Sequence, residues 1–195
     1  MTYDIVLAGV GGQGVLSLSG IIAAAALEEG LFVKQSEVHG MAQRGGAVTA
    51  HLRLADAPIE SDLVPVGRAA MILSLEPLES LRYLEMLAPD GAVVTAAAPL
   101  ANVKDYPPIE ELLTAIRTLP RAILVDAAGL AQAAGLAQAT NMVMAGAAAP
   151  LLPIRVGTIE RSVRARFGRK GAEVVERNLA AFRAGQEVAR CTAKQ

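Results

Sequence analysis

Apolar residues in this chain come in short runs punctuated by glycine. "YDIVLAGV" (3–10) is a run of strand length that ends in glycines, and "VLSLSGIIAAAALEEG" (15–30) after it has helical composition, with Gly30 where a helix stop belongs. The pattern predicts strand, glycine loop, helix. "LFVKQSE" (31–37) reads as a second strand that completes a βαβ unit, with a right-handed crossover expected. "AVTAHLRL" (47–54) alternates, with Val48, Ala50, Leu52 and Leu54 on one face and Thr49, His51 and Arg53 on the other, as a strand with one polar face does. No helix separates it from the strand before, so the two are expected to pair as an antiparallel hairpin.

Farther along, "AAMILSLE" (69–76) reads as a buried strand and "EPLESLRYLEMLAPDG" (76–91) as a helix with Pro77 in its first turn and a Pro-Asp-Gly stop. "AVVTAA" (92–97) and "AILVDAA" (122–128) are predicted strands on either side of a helix over 108–119. "LAQAAGLAQAT", "NMVMAGAAAPLL", "TIERSVRARFG" and "GAEVVERNLAAFRAGQEVAR" all read as helices. Met142 and Met144, at helical spacing, are expected in the core. The expected fold class is α/β, a three-layer α/β/α single domain over residues 1–195. Its sheet is mixed and mostly parallel, Rossmann-like at its start, with one antiparallel hairpin strand.

Composition narrows the function. The 195 residues are 53% hydrophobic and carry a formal net charge of -1, so no basic footprint points to nucleic acid or an anionic membrane. Scarce aromatics, 3% of the chain with no tryptophan, argue against base-stacking platforms. The single cysteine, Cys191, can build neither an internal disulfide nor a four-cysteine metal site, so a redox metal is expected on another chain. "MTYDIVLAG" has no basic stretch before its apolar run and reads as a first strand, and no span of about 20 apolar residues is free of charge or glycine. A soluble, cytoplasmic protein is the expectation. "ERSVRARFGRKG" (160–171) is a basic cluster, expected to be a solvated helix face.

Gly9, Gly11 and Gly14 in "GVGGQG" match G-x-G-x-x-G in the strand-to-helix context of a dinucleotide fingerprint, and Glu37 stands roughly 20 residues on, where a ribose-binding acid belongs. Against this, the second crossover helix and third parallel strand of an ordinary dinucleotide-binding half are missing. A turn that serves only packing, and an anion held on the amides that open the helix, stay open beside it.

"EVHGMAQRGG" (37–46) crowds His39, Gln43 and Arg44 between glycines. Gly45 and Gly46 let the chain reverse, and the loop begins at the carboxyl end of a strand, beside the point where the first glycine loop must emerge. Two glycine loops are expected to share one crevice, with Arg44 able to grip a phosphate or carboxylate and His39 and Gln43 able to hydrogen-bond. No Ser, Cys or metal-ligand partner stands at a recognisable spacing from His39, so no catalytic residue is assigned.

Taken in order, "GVGGQGVL", "EVHGMAQRGGAV", "LEPLESLRYL", "NMVMAGA" and "NLAAFRAGQEV" resemble the gamma-type subunits and domains of the 2-oxoacid:ferredoxin oxidoreductases over nearly the whole chain, nearest to their indolepyruvate branch. "HGMAQRGG" is the most specific element. The resemblance implies a subunit without cofactors of its own. Thiamine diphosphate, Mg2+ and [4Fe-4S] clusters are expected on a larger partner subunit. That assembly would oxidatively decarboxylate an aryl-pyruvate to an acyl-CoA and pass electrons to ferredoxin. Gly9, Gly11, Gly12, Gln13, Gly14, His39, Gln43, Arg44 and Gly45 become candidate contacts for coenzyme A or the partner. The alternatives are a stand-alone NAD(P)-dependent oxidoreductase and an anion-binding α/β scaffolding module.

Overall fold

The computed structural model describes residues 1–39, 45–100 and 105–192. Thr2–Val10 (β1), Phe32–His39 (β2), Ala47–Ala55 (β3), Ala69–Ser74 (β4), Leu87–Ala96 (β5) and Ala122–Val125 (β6) form one sheet in the order β2-β3-β1-β4-β5-β6. β1, β4, β5 and β6 are parallel, and β3 runs antiparallel to both β1 and β2. The helices among the described residues are Val15–Glu28 (α1), Pro77–Arg82 (α2), Ile109–Arg117 (α3), Ala127–Ala133 (α4), Thr140–Ala148 (α5), Val156–Phe167 (α6) and Ala172–Thr192 (α7).

The hairpin expectation holds, in register from Phe32 opposite Ala55 to His39 opposite Val48. The βαβ unit is present in split form: β1 and β2 are parallel and joined by α1, but β3 takes the place beside β1 and separates them. Residue chemistry explains the exchange. Ala50, Leu52 and Leu54 of β3 are fully buried, whereas β2 carries Lys34, Gln35, Ser36 and Glu37, which suit an edge strand. Asp4 of β1 sits opposite Arg53 of β3 and takes two hydrogen bonds from its guanidinium, at 2.8 and 3.2 Å. Arg53 also donates to the carbonyls of Ser61 and Leu63 and so pins the segment that crosses this face.

Alternation along the central strands sorts side chains into two cores. Ile5, Leu7, Leu52, Leu54, Met71, Leu73 and Val94 face the larger one, shared with α1, α5, α6 and α7. Val6, Ile72 and Val93 face the smaller one with Val64 and Met86, on the side where α2 packs against β1, β4 and β5. Helix α1 buries Val15, Leu18, Ile21, Ile22, Ala25 and Ala26, a stripe at helical spacing. It stops at Gly30, φ 79°, with Leu31 N–H bonded to Ala26 C=O and Gly30 N–H to Leu27 C=O, the paired closure that a left-handed glycine permits.

Boundaries differ most from those expected at two places, and the strand expected over 122–128 ends at Val125. The helix predicted over 76–91 ends at Arg82, and Leu87–Ala96 is strand β5. Pro89 cannot continue a helix, the Glu85 carbonyl accepts from Gly67 N–H instead, and Gly91 comes so close to β4 that a Cβ there would sit 2.8 Å from the Ala69 carbonyl oxygen. The helix expected over 130–140 starts earlier: Asp126 caps α4 by accepting from Gly129 N–H at 2.9 Å, and Gly135 at φ 77° ends the stretch.

Helix α5 is buried on all sides from Asn141 to Ala148, with Met142 and Met144 in the core as expected. It crosses α7 through reciprocal glycines: a Cβ on Gly146 would lie 1.8 Å from the Phe182 carbonyl oxygen, and one on Gly185 would lie 1.9 Å from that of Val143. Both clashes are with backbone, so neither helix can yield by turning a side chain. Gly146→Ala is expected to cost about 3 kcal/mol or more in denaturant unfolding. Gly20→Ala, on the exposed face of α1 with nothing within 4 Å, should stabilise by roughly 0.5–1 kcal/mol. Equal effects at the two sites would contradict the close crossing.

His51 supplies a second test. Its Nδ1 accepts from Val64 N–H at 2.9 Å, which requires that nitrogen to be unprotonated, and burial lowers its pKa from the usual histidine value. Since the folded value lies below the unfolded one, the unfolded chain takes up the proton first as pH falls. The neutral form's contribution is present above about pH 6.5 and is lost on acidification toward the folded value. Denaturant midpoints measured from pH 7 to 5 should fall less steeply for His51→Gln than for the parent; parallel curves would rule the linkage out.

Candidate functional site

Because β2 is parallel to β1 by way of β3, the carboxyl ends of β1, β2, β4, β5 and β6 lie at one end of the sheet. The glycine loop leaves β1 there and the β2–β3 turn leaves β2 there. The two loops are joined directly: Gly11 N–H donates to Gly46 C=O at 2.8 Å, and Gly45 N–H to Gly11 C=O at 3.4 Å. These bonds extend the β1–β3 ladder one step beyond Val10 opposite Ala47. The structure thus brings Gly9, Gly11, Gly12, Gln13, Gly14 and Gly45 together. His39 is the last residue of β2, at the same end, while Gln43 and Arg44 lie outside the described residues.

Within the loop, Gly12 and Gly14 have φ of 101° and 89°, so the turn into α1 needs residues without a Cβ. Gly9 is glycine for a different reason: a Cβ would meet Gln13 Oε1 at 2.9 Å and Val15 Cγ2 at 3.0 Å. Gln13 folds back into that space. Its Oε1 accepts from Val10 N–H at 2.7 Å and its Nε2 donates to Leu75 C=O at 3.0 Å, just past the end of β4. At the far end Asn141, 8% exposed on α5, reaches the Gly14 carbonyl at 3.5 Å. Arg166 of α6 donates to Ser17 Oγ in the first turn of α1.

Beside Leu75 stands a carboxylate that sequence reasoning missed. Glu76 is 1% exposed and caps α2 by accepting from Glu79 N–H at 2.9 Å. It also accepts from Leu100 N–H and Tyr106 O–H, which ties the segment after β5 across this end of the sheet. Burial, then the hydrogen bond to Glu76, pushes the Tyr106 phenol up, and burial raises the carboxyl of Glu79, whose Oε2 accepts from Arg82. The Pro77 start signal was readable, but a tyrosine 30 residues away has no local signature.

The basic cluster of α6 lies on an exposed face, as expected, with Arg161 on Glu28 at 2.6 Å and Arg164 on Glu176 at 2.7 Å. An open cavity of about 680 Å³ lined by Arg121, Pro150, Glu187, Arg190 and Cys191 lies at the amino ends of β5 and β6, away from the glycine loops. Among the described residues no group of three or more His, Cys, Asp or Glu is placed to hold a metal ion, and no helix is long and apolar enough to cross a membrane.

The sheet order bears on the dinucleotide alternative. A ribose-binding acid belongs on the strand next to β1, but Glu37 is on β2, one strand farther, about 10 Å from β1 at the usual strand spacing.

Residues 4–188 match the family described as pyruvate ferredoxin/flavodoxin oxidoreductase, and the chain belongs to it. Within that family it is similar to the indolepyruvate oxidoreductase subunit IorB of Archaeoglobus fulgidus, 37% identical over 194 residues, 95% of this chain and 94% of that one. The IorB of Pyrococcus horikoshii is 36% identical, covering 96% of each chain. The solved gamma subunit of a keto/oxoacid ferredoxin oxidoreductase from Geobacter sulfurreducens superposes with a TM-score of 0.70 at 26% identity, over 97% of this chain and 99% of that one. A 2-oxoglutarate:ferredoxin oxidoreductase from Magnetococcus marinus gives a TM-score of 0.78 at 23% identity, covering 97% of this chain but 31% of the longer one, which shows the fold alone. The resemblance read from the motifs holds: these relatives are oxidoreductase subunits or a longer oxidoreductase chain.

With Glu37 displaced by β3, calorimetric titration with NAD(H) and NADP(H) is expected to show no micromolar binding. A saturable heat at micromolar concentration would restore the dehydrogenase reading.

Proposed function

We propose that this chain is the small subunit of an indolepyruvate-type 2-oxoacid:ferredoxin oxidoreductase, active only with a larger partner. The observation that carries this is sequence identity of 34–37% to IorB subunits from four archaea, each over at least 95% of the chain. Identity to the gamma subunits shared by pyruvate and ketoisovalerate enzymes is 27–28%. With one cysteine, this chain supplies no four-cysteine cluster. Thiamine diphosphate, Mg2+ and [4Fe-4S] clusters belong in this reading to the partner, where they carry decarboxylation and electron transfer to ferredoxin. The complex converts an aryl-pyruvate to its acyl-CoA in the cytoplasm.

The glycine loop and the β2–β3 turn form the coenzyme A side of the cleft. Two glycine-rich backbones meeting at the carboxyl ends of parallel strands suit a phosphate-bearing ligand, since amides can approach it without side chains between. Gly12 and Gly14 would present backbone, and Arg44, with His39 and Gln43 beside it in sequence, would supply charge and hydrogen bonds.

Co-expression with the larger subunit tests the assignment. Indolepyruvate-dependent, coenzyme A-dependent reduction of a viologen dye is expected only when both chains are present, and full activity from the larger subunit alone would overturn it. In the complex, Arg44→Ala should raise KM for coenzyme A about tenfold, the worth of one charge-assisted hydrogen bond, with iron and thiamine content unchanged. If neither KM nor assembly changes, the turn is only structural.

A further inference from the structure

We propose that Gln13 is the positioning residue of the glycine loop, acting through its side-chain amide on the loop backbone and not by touching the ligand. The inference rests on the reading of this loop as the coenzyme A side of the cleft. Three chain segments meet at the amide: the end of β1 through Val10 N–H, the start of α1 through its own backbone, and the end of β4 through Leu75 C=O. Gln13 N–H also donates to Val10 C=O at 3.1 Å, so side chain and main chain close the same turn from both sides. Leu75 N–H donates to Ala8 C=O at 2.9 Å, which makes the carbonyl that Gln13 grips part of a fixed ladder.

A side-chain amide of this length meets both needs of the site at neutral pH. The site needs an acceptor for Val10 N–H and a donor for Leu75 C=O, and Gln offers one of each in a single plane. Gly9 leaves the space the amide occupies. Four of the six residues from Gly9 to Gly14 are glycine, so an unclamped loop would sample many backbone conformations and binding would have to select one of them. The clamp removes that cost before the ligand arrives. The register with Gly45 and Gly46 depends on it as well, because Gly11, between Val10 and Gln13, makes both cross-loop bonds.

The test uses the co-expressed two-subunit complex. Gln13→Leu, which loses both bonds, is expected to raise KM for coenzyme A about tenfold, with the change falling on KM more than on kcat. It should also speed amide hydrogen exchange across residues 10–14. Gln13→Glu keeps the acceptor and sets a carboxylate oxygen against the Leu75 carbonyl. Its protonated form has a hydroxyl donor again, so KM should fall back toward the parent value as pH is lowered, while Gln13→Leu shows no such recovery. Unchanged exchange in Gln13→Leu would overturn the proposal whatever happens to KM. Faster exchange with unchanged KM would overturn it too; Arg44→Ala then shows whether the coenzyme A reading falls with it, since a raised KM there keeps that reading alive. If Gln13→Leu fails to assemble, the pH dependence of Gln13→Glu decides alone: recovery on acidification supports the clamp, and a pH profile parallel to the parent's rejects it.

Discussion

The pairing of β3 against β1 is the constraint from which the rest of the arrangement follows. It runs unbroken from Thr2 opposite Ala55 to Val10 opposite Ala47, then one step further through the bonds between Gly11 and Gly45–Gly46. An antiparallel strand in this position returns the chain from the far edge directly to the glycine loop. It therefore delivers the β2–β3 turn to the carboxyl end of β1, and it pushes β2 and Glu37 out by one strand spacing. One pairing both builds the candidate cleft and removes the acid that a dinucleotide would need. G-x-G-x-x-G specifies a turn with close backbone approach; the neighbouring strand decides what can bind there.

The other side of the sheet depends on closeness of a different kind. Helix α5 is enclosed by the sheet on one side and α7 on the other, and the glycines at 146 and 185 let the two helices nearly touch. That closeness gives the alanine-rich composition a role: Ala145, Ala147, Ala148 and Ala181 are fully buried, and larger side chains would hold the helices apart. Asn141 stands in the first turn of this packed helix, so the contact it makes with Gly14 links the glycine loop to the most buried helix of the molecule.

What could be read from sequence divides along the range of the interactions involved. Strand β1, helix α1 with its Gly30 stop, the alternation of β3 and the β2–β3 hairpin are local patterns, and each is present. Burial of Met142 and Met144 followed from spacing alone. The start of β5 was hidden because "LRYLEMLAPDG" has helical composition up to Pro89, while the Glu85 carbonyl's bond to Gly67 and the tight approach of Gly91 to Ala69 are contacts that no local pattern announces. Asp126 was a readable cap, obscured by the apolar run before it. At the site, the meeting of the two glycine loops was legible because both leave strands at one end of the sheet. The engagement of Gln13 was not, since its partner is 62 residues away and a glutamine among glycines reads more readily as a ligand contact.

That last difference alters how the loop's chemistry is understood. A motif rich in glycine with one polar side chain invites the view that the side chain binds and the glycines merely permit the turn. Here the roles are closer to the reverse. Both ends of the Gln13 amide are engaged within the protein, and the backbone it stabilises is what faces the end of the sheet. Recognition by main-chain amides is strong only when their geometry is set in advance, because each glycine would otherwise lose its freedom on binding. In the proposed reading, a glutamine clamp and a second glycine pair across the loop would remove that cost during folding. The relevant unit is then neither motif alone but the two loops joined at Gly11 and Gly46, held from within by Gln13 and Leu75.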